Sequence, residues 1–254
     1  MKKTMIAIVA LIALMTGASA SFSKDLVVGV ANFEPFFIEE NERGIFVDVI
    51  KEVFKLMPQH TIKFSFMTNR RLLEDLNTGA LDAAVNMLEN YELNHVYLSE
   101  PVFRYRDAVI ALKSKNLTIN AVADLQKTSI ATHQGAMDYL GAEFKALAQA
   151  HPNYKEYRVQ SQICEAVAAE TMDVGIEDPY VFFFDLKRLN QADTPADAFA
   201  VYPIFPEGYT LMGFKDESIR NEFNQALATL KANGTYEAVF ETYKKELNLE
   251  WYKQ

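Results

Sequence analysis

From residue 25 onward, short apolar runs rich in β-formers alternate with stretches whose apolar positions recur every three to four residues. Residues 25–31 (DLVVGVA), 61–67 (TIKFSFM) and 81–87 (LDAAVNM) read as strands. Between them, 46–57 (FVDVIKEVFKLM) has helical spacing and stops at Pro58, and 70–77 (RRLLEDLN) is a shorter helix closed by Gly79. Residues 107–113 predict a strand, and 128–150 a strand, a turn at Gly135 and one long helix. Strand, helix, strand then recurs over 154–159, 162–170 and 173–178. After a strand at 209–215, helices over 217–232, capped by Asn233-Gly234, and 235–247 finish the chain. This alternation predicts an α/β protein with largely parallel sheets.

Two segments echo each other. LNTGALDAAVNM and AAETMDVGIEDP both run from a helix end through a brief turn to an Asp, an apolar strand and a polar strand end. The echo points to two lobes of similar plan, each with its own sheet. The apolar pattern breaks at Lys113–Asn116, and YPIFPEGY (202–209) holds two prolines and a glycine. These breaks put the lobe boundaries near Lys113–Asn116 and near 202–209, and two crossings between lobes make a hinge pair.

Residues 1–20 read as an address and not as part of either lobe. Lys2 and Lys3, an apolar stretch from Met5 to Met15 and Ala18-Ser19-Ala20 match a secretory signal peptide, the alternative being a short anchor. Ser21 in place of cysteine closes the lipoprotein route. Removing two lysines takes the formal charge from -9 to -11. So acidic a chain is unsuited to nucleic acid, where basic patches bind. Cys164 is the one cysteine, so no intrachain disulfide forms. Its helical surroundings favour a buried small hydrophobe over a reactive thiol. The four histidines are scattered, no metal site is expected, and no cofactor motif occurs.

The candidate chemistry gathers where strand 173–178 ends. Glu177 and Asp178 are adjacent carboxylates directly before Pro179. On a strand they face opposite ways, so one of them faces any cleft at the strand ends. Asp before a proline is also a good N-cap for a helix starting at Pro179, and both roles can coexist.

Six motifs now carry a family resemblance over essentially the whole chain after residue 20. VGVANFEPFF, GIFVDVIKEVFK, LNTGALDAAVNM, YLSEPVF, DVGIEDP and ATLKANGTYEAVFETYKKE, in that order, resemble the family 3 extracytoplasmic solute-binding proteins, the amino-acid-type receptors of ABC importers. The resemblance implies a type II periplasmic binding protein fold, two α/β lobes joined by two hinge crossings, with residues 21–112 and 208–254 forming lobe 1, 113–207 lobe 2, and ligand trapped between them. It implies a periplasmic monomer that captures a small polar, amino-acid-derived solute and delivers it to an inner-membrane ABC permease. It places Asp178 against the ligand ammonium and Phe33 against the ligand body, with Phe36 in the core.

Departures from the family pattern bear on the ligand. The family's carboxylate-binding arginine is missing from LENYELNHVYLSEP, where Glu92, Leu93 or Asn94 takes its place. HQGAMDYL keeps Gly135, whose following N–H groups remain available for an anion, but lacks the usual hydroxyl. Asn69 replaces a second ligand-side aromatic. Arg70 and Arg71 are either substitute carboxylate ligands or partners of Glu74 and Asp75 on their own helix. Glu89, Glu92 and Asp178 could instead form a pocket for a more cationic ligand, and Asn86 is the polar residue at the end of strand 81–87. Peptides, modified amino acids and polyamine-like molecules therefore remain open. Two other readings share the fold: an exported dehydratase-like enzyme using Glu177, Asp178 or His133 as acid or base, and a receptor that docks on a membrane sensor.

Overall fold

The computed structural model describes residues 24–189 and 194–252. The export signal expected over residues 1–20 lies outside them. The chain begins with β1 (Lys24–Val30), α1 (Ile45–Lys55), β2 (His60–Phe66), α2 (Asn69–Thr78), β3 (Ala83–Met87) and the short β4 (Tyr97–Leu98) and β5 (Phe103–Tyr105). A second group follows: β6 (Ala108–Leu112), β7 (Ile130–His133), α3 (Ala136–Tyr139), α4 (Ala142–Ala150), β8 (Tyr154–Tyr157), α5 (Ser161–Ala168), β9 (Val174–Glu177), α6 (Pro179–Arg188) and β10 (Phe199–Tyr202). The chain then returns with β11 (Gly208–Phe214), α7 (Glu217–Ala232) and α8 (Thr235–Glu246).

Two sheets result. The first has the order β2-β1-β3-β11-β4, with β5 also on β11, and the second β10-β6-β9-β7-β8. Each is mixed and not largely parallel: β1 runs parallel to β2 and β3, and β7 to β8 and β9, while β11, β6 and β10 pair antiparallel. Of these, β6 and β11 are entered directly from the other lobe, with no crossover helix to reverse the chain.

The outward crossing lies between Tyr105 and Ala108, ahead of the expected division at residue 112, because β6 pairs with β9 and β10 in the second sheet. The polar break at Lys113–Asn116 ends a strand of the second lobe; the crossing itself carries neither Pro nor Gly. The return falls between Tyr202 and Gly208, inside YPIFPEGY. The long helix expected up to residue 150 is two helices, interrupted at Gly141, whose φ of 97° lies in the left-handed region.

The sequence echo has a physical counterpart. The Asp82 carboxylate accepts the backbone N–H of Val27 at 2.9 Å, while its own N–H donates to Val27 O at 3.0 Å. In the second lobe Asp173 accepts from Ser129 N at 2.9 Å and donates its N–H to Ser129 O at 3.2 Å. Each Asp thus ties the start of one central strand to the strand beside it.

Apolar faces close the cores. α1 buries Phe46, Val49, Ile50 and Val53 toward α7 and α8, and Phe36, Phe37 and Phe103 pack on Phe46 with ring centroids 4.6–5.5 Å apart. Phe36 is a core residue, as expected. Tyr180, in the first turn of α6, is buried between Phe36 and Phe240 of lobe 1, at 6.2 and 5.8 Å. Cys164 is buried in the second lobe, and burial raises its thiol pKa, consistent with a small hydrophobe. Among the described residues no helix is long and apolar enough to cross a membrane.

Candidate functional site

A cavity of about 730 Å³ lies between the two sheets, at the strand ends and crossings. From lobe 1 it takes Phe33, Asn69, Asn86, Leu88, Tyr91 and Tyr105, with Gly208, Tyr209 and Thr210 of β11; from lobe 2 it takes Asp107, His133, Gln134, Gly135, Tyr139, Gln160, Asp178 and Val181. Five of the nine expected site residues meet here: Phe33, Asn69, Asn86, Gly135 and Asp178.

Asp178 caps α6. One oxygen accepts the N–H of Tyr180 and the other the N–H of Arg106, both at 2.9 Å. With the residue only 5% exposed, burial pushes the carboxyl up to about 7. The two N–H donors and the more distant Arg104 favour its charge, and Asp107 opposes it. Capping and a place in the cavity therefore coexist, and a cation entering the cavity would restore the ionised form.

Glu177 faces away. Two positions earlier on β9, a Cβ on Gly175 would touch Ile163, Val167 and Phe182, so this face of the strand lies against α5 and α6. Glu177 is 1% exposed and neither oxygen makes a hydrogen bond of ordinary geometry. Burial, then Asp185, Asp107 and Asp178, raise it well above the usual carboxylate range, with Gln160 the nearby group favouring charge. The adjacent carboxylates thus serve different compartments and do not form a paired acid in the cavity.

Asn86 is aimed by its backbone. Its φ of 56° is left-handed, and β3 and β11 slip register between Leu211 and Gly213, a bulge that re-aims side chains. Tyr105 Oη and Thr210 Oγ1 donate to its Oδ1 at 2.8 and 2.9 Å, which leaves the amide nitrogen as a donor for ligand. Phe33 sits 6.0 Å from Tyr105, ring to ring, which gives the lobe 1 wall an aromatic face.

His133 Nε2 lies 3.4 Å from Asp107 Oδ2. Burial disfavours its charge, but Asp107, together with the Gln134 carbonyl and the charge of Glu156, outweighs burial and raises the imidazole above its ordinary value.

Gly135 corrects an expectation. Its N–H donates to Glu156 Oε2 at 2.9 Å and Met137 N–H to Glu156 Oε1 at 3.1 Å, so the chain fills its own anion cradle. Tyr154 donates to the same carboxylate at 2.7 Å. Burial works against the charge of Glu156, and these donors together hold its pKa below the usual range.

Arg70, Arg71, Glu89 and Glu92 do not line the cavity. Arg70 pairs with Glu74 at 3.2 Å and Arg71 with Asp75 at 3.1 Å, their side chains 89% and 71% exposed. On α2 these i, i+4 partners are nearer than the cleft. Glu89 and Glu92 are exposed in the turn after β3, and the Glu92 carbonyl accepts from Asn77 at 3.0 Å. Sequence reasoning missed Tyr105, Asp107, Tyr139, Gln160, Tyr209 and Thr210. Their signal was position alone: most stand at crossings or strand and helix ends facing the other lobe.

Two α/β lobes facing each other across a polar and aromatic cavity define a type II periplasmic binding protein fold. The chain belongs to the bacterial extracellular solute-binding proteins, family 3, whose family model matches residues 26–246. It is 27% identical over 224 residues to the L-cystine-binding protein TcyJ of Bacillus subtilis strain 168, covering 84% of this chain and 81% of that protein. It is 26% identical over 260 residues to the probable amino-acid-binding protein YxeM of the same organism, covering 97% and 96%. The second substrate-binding domain of GlnP from Lactococcus lactis, in an open conformation, superposes with a TM-score of 0.68 at 18% identity, covering 87% of this chain and 95% of that one.

Proposed function

We propose that the protein captures a small, amino-acid-derived solute bearing an ammonium group between its lobes and delivers it to an ABC importer in the inner membrane. It works as a periplasmic monomer that closes about the crossings at residues 106–107 and 203–207. The observation that carries this reading is Asp178, a buried carboxylate lining an interlobe cavity with aromatic faces around it. In such a low-dielectric place a carboxylate holds a cation more strongly than at the surface. The cystine-binding and probable amino-acid-binding relatives support the solute class.

A melting screen over amino acids, short peptides and polyamines tests the reading. A ligand that binds only the folded chain stabilises it by about 2.7 kcal/mol at a hundredfold excess over its dissociation constant. At least one solute should raise the transition, and the rise should shrink clearly in Asp178→Asn. A flat screen, or a shift indifferent to that substitution, removes the reading.

A further inference from the structure

Taking the interlobe cavity as the ligand site, we propose that it selects an organic cation that carries no carboxylate, an amine or guanidine, over the amino acid with the same side chain. The argument is an inventory of what the cavity offers to charge. Two carboxylates, Asp107 and Asp178, line it. Among the described residues lining it there is no lysine or arginine, and the one basic side chain, His133, is already held by Asp107 at 3.4 Å. Arg106, between the lining residues Tyr105 and Asp107, does not line the cavity and pairs with Glu207 at 2.9 Å. Arg70 and Arg71 are spent on their own helix.

Backbone donors do not make up the difference. Gly135 lines the cavity, but its N–H and that of Met137, arranged for an anion, are both taken by Glu156. To use those N–H groups a solute carboxylate would have to displace that internal carboxylate, and like charges in a partly buried site repel. What remains for solute acceptors is neutral: the Asn86 amide nitrogen, the side chains of Asn69 and Gln134, and the Tyr91 and Tyr139 hydroxyls. Burying a free carboxylate on neutral donors alone, beside two acids, is costly. The organic part of a cation is well served, because the aromatic residues Phe33, Tyr91, Tyr105, Tyr139 and Tyr209 line the same space.

The test uses the purified full chain and matched pairs differing by one carboxylate: agmatine with arginine, cadaverine with lysine, putrescine with ornithine, and tyramine with tyrosine, titrated by calorimetry. The expected result is that at least one amine binds tenfold or more tighter than its amino acid. An amino acid that binds as tightly as its amine overturns this inference and leaves the proposed function standing. If only a solute outside the pairs responds, its carboxylate, or the lack of one, decides in the same way; silence from every solute overturns both. Glu156→Ala, checked for folding by circular dichroism, frees the Gly135 and Met137 N–H groups and should narrow the preference at least threefold. Glu156→Gln, which keeps an acceptor on them, should narrow it less. An unchanged preference in the folded Ala variant removes Glu156 from the account.

Discussion

The Asp178 carboxylate accepts the Arg106 backbone N–H at 2.9 Å, which fastens the cap of α6 to the segment where the chain first crosses between lobes. One side chain thereby holds a helix start, a hinge strand and a face of the cavity. Its backbone-anchoring and ligand-facing roles separate by substitution. Asp178→Ala strips acceptors from Arg106 and Tyr180 N–H and should cost about 1–2 kcal/mol of unfolding free energy. Asp178→Asn keeps one oxygen and should cost under about 1 kcal/mol, while ammonium binding weakens roughly tenfold or more. Chemical denaturation and calorimetry on both variants read the difference; an Asn variant that binds like wild type contradicts the role given to the charge.

pH supplies a second test of the same group. Asp178 is pushed from 3.8 to about 7 in the fold. The folded chain therefore binds more protons than the unfolded one between those values, and the stability this group confers is full below about 4 and lost as pH rises through about 7. His133, also raised, acts with the same sign. Stability without ligand should fall from pH 5 to pH 8, less steeply in Asp178→Asn. A cationic ligand favours the ionised carboxylate, and loss of the His133 proton leaves Asp107 less compensated, so affinity should rise over the same interval with proton release. Calorimetry in buffers of different ionisation enthalpy measures that release. Affinity flat from pH 5 to pH 8 contradicts the assignment.

Much of the fold is legible because its determinants are local. The repeated Asp at the head of an apolar strand, Asp82 and Asp173, marks two lobes of one plan because each makes the same backbone bonds to the neighbouring strand. Phe33, Asn69, Asn86, Gly135 and Asp178 stand at strand or helix ends, where an α/β fold exposes its cavity. Arg70 and Arg71 mislead when read as free charges, since their helical partners are as visible in the sequence as the arginines themselves. Asp107 is hidden because the crossing has no punctuation residue. Glu156 is hidden for another reason. It meets Gly135 only through the parallel register that sets His133 of β7 against Tyr157 of β8, a long-range pairing that sequence spacing does not encode.

Arg188 joins the lobes on another side. Its guanidinium holds Asp185 of its own helix at 2.7 Å and Glu34, beside Phe33 in lobe 1, at 3.3 Å. The Glu34 contact is half exposed, so Glu34→Gln should change stability by less than about 1 kcal/mol. Asp185 has a side chain only 8% exposed, and burial already raises its carboxyl. Arg188→Ala strands that carboxyl and should cost more than Glu34→Gln, whereas adding Asp185→Asn should recover much of the loss. Denaturation of the single and double variants closes the cycle; equal costs for Glu34→Gln and Arg188→Ala would mean Asp185 gains nothing from its partner.

Gly44 controls the loop that carries Phe33 without touching the cavity. Its φ of 125° lies where side chains are strained, and a Cβ there would stand 2.5 Å from the carbonyl oxygen of Phe36 and 2.9 Å from that of Pro35. Those carbonyls are in use: Pro35 O accepts the N–H of Ile45 and Phe36 O that of Phe46, each at 3.0 Å, so the Phe33–Phe37 loop satisfies the first turn of α1. The Gly44 N–H itself donates to the Tyr243 hydroxyl at 2.9 Å, which ties the same point to α8. Gly44→Ala must therefore move the loop or break the start of α1, and it should cost more than about 2 kcal/mol. Because Phe33 rides on that loop, ligand affinity should fall as well, although Gly44 is not a lining residue. Urea denaturation and ligand titration on the variant test both effects. A variant that keeps its stability and its affinity shows that the loop tolerates a side chain there and that Phe33 is positioned by other contacts.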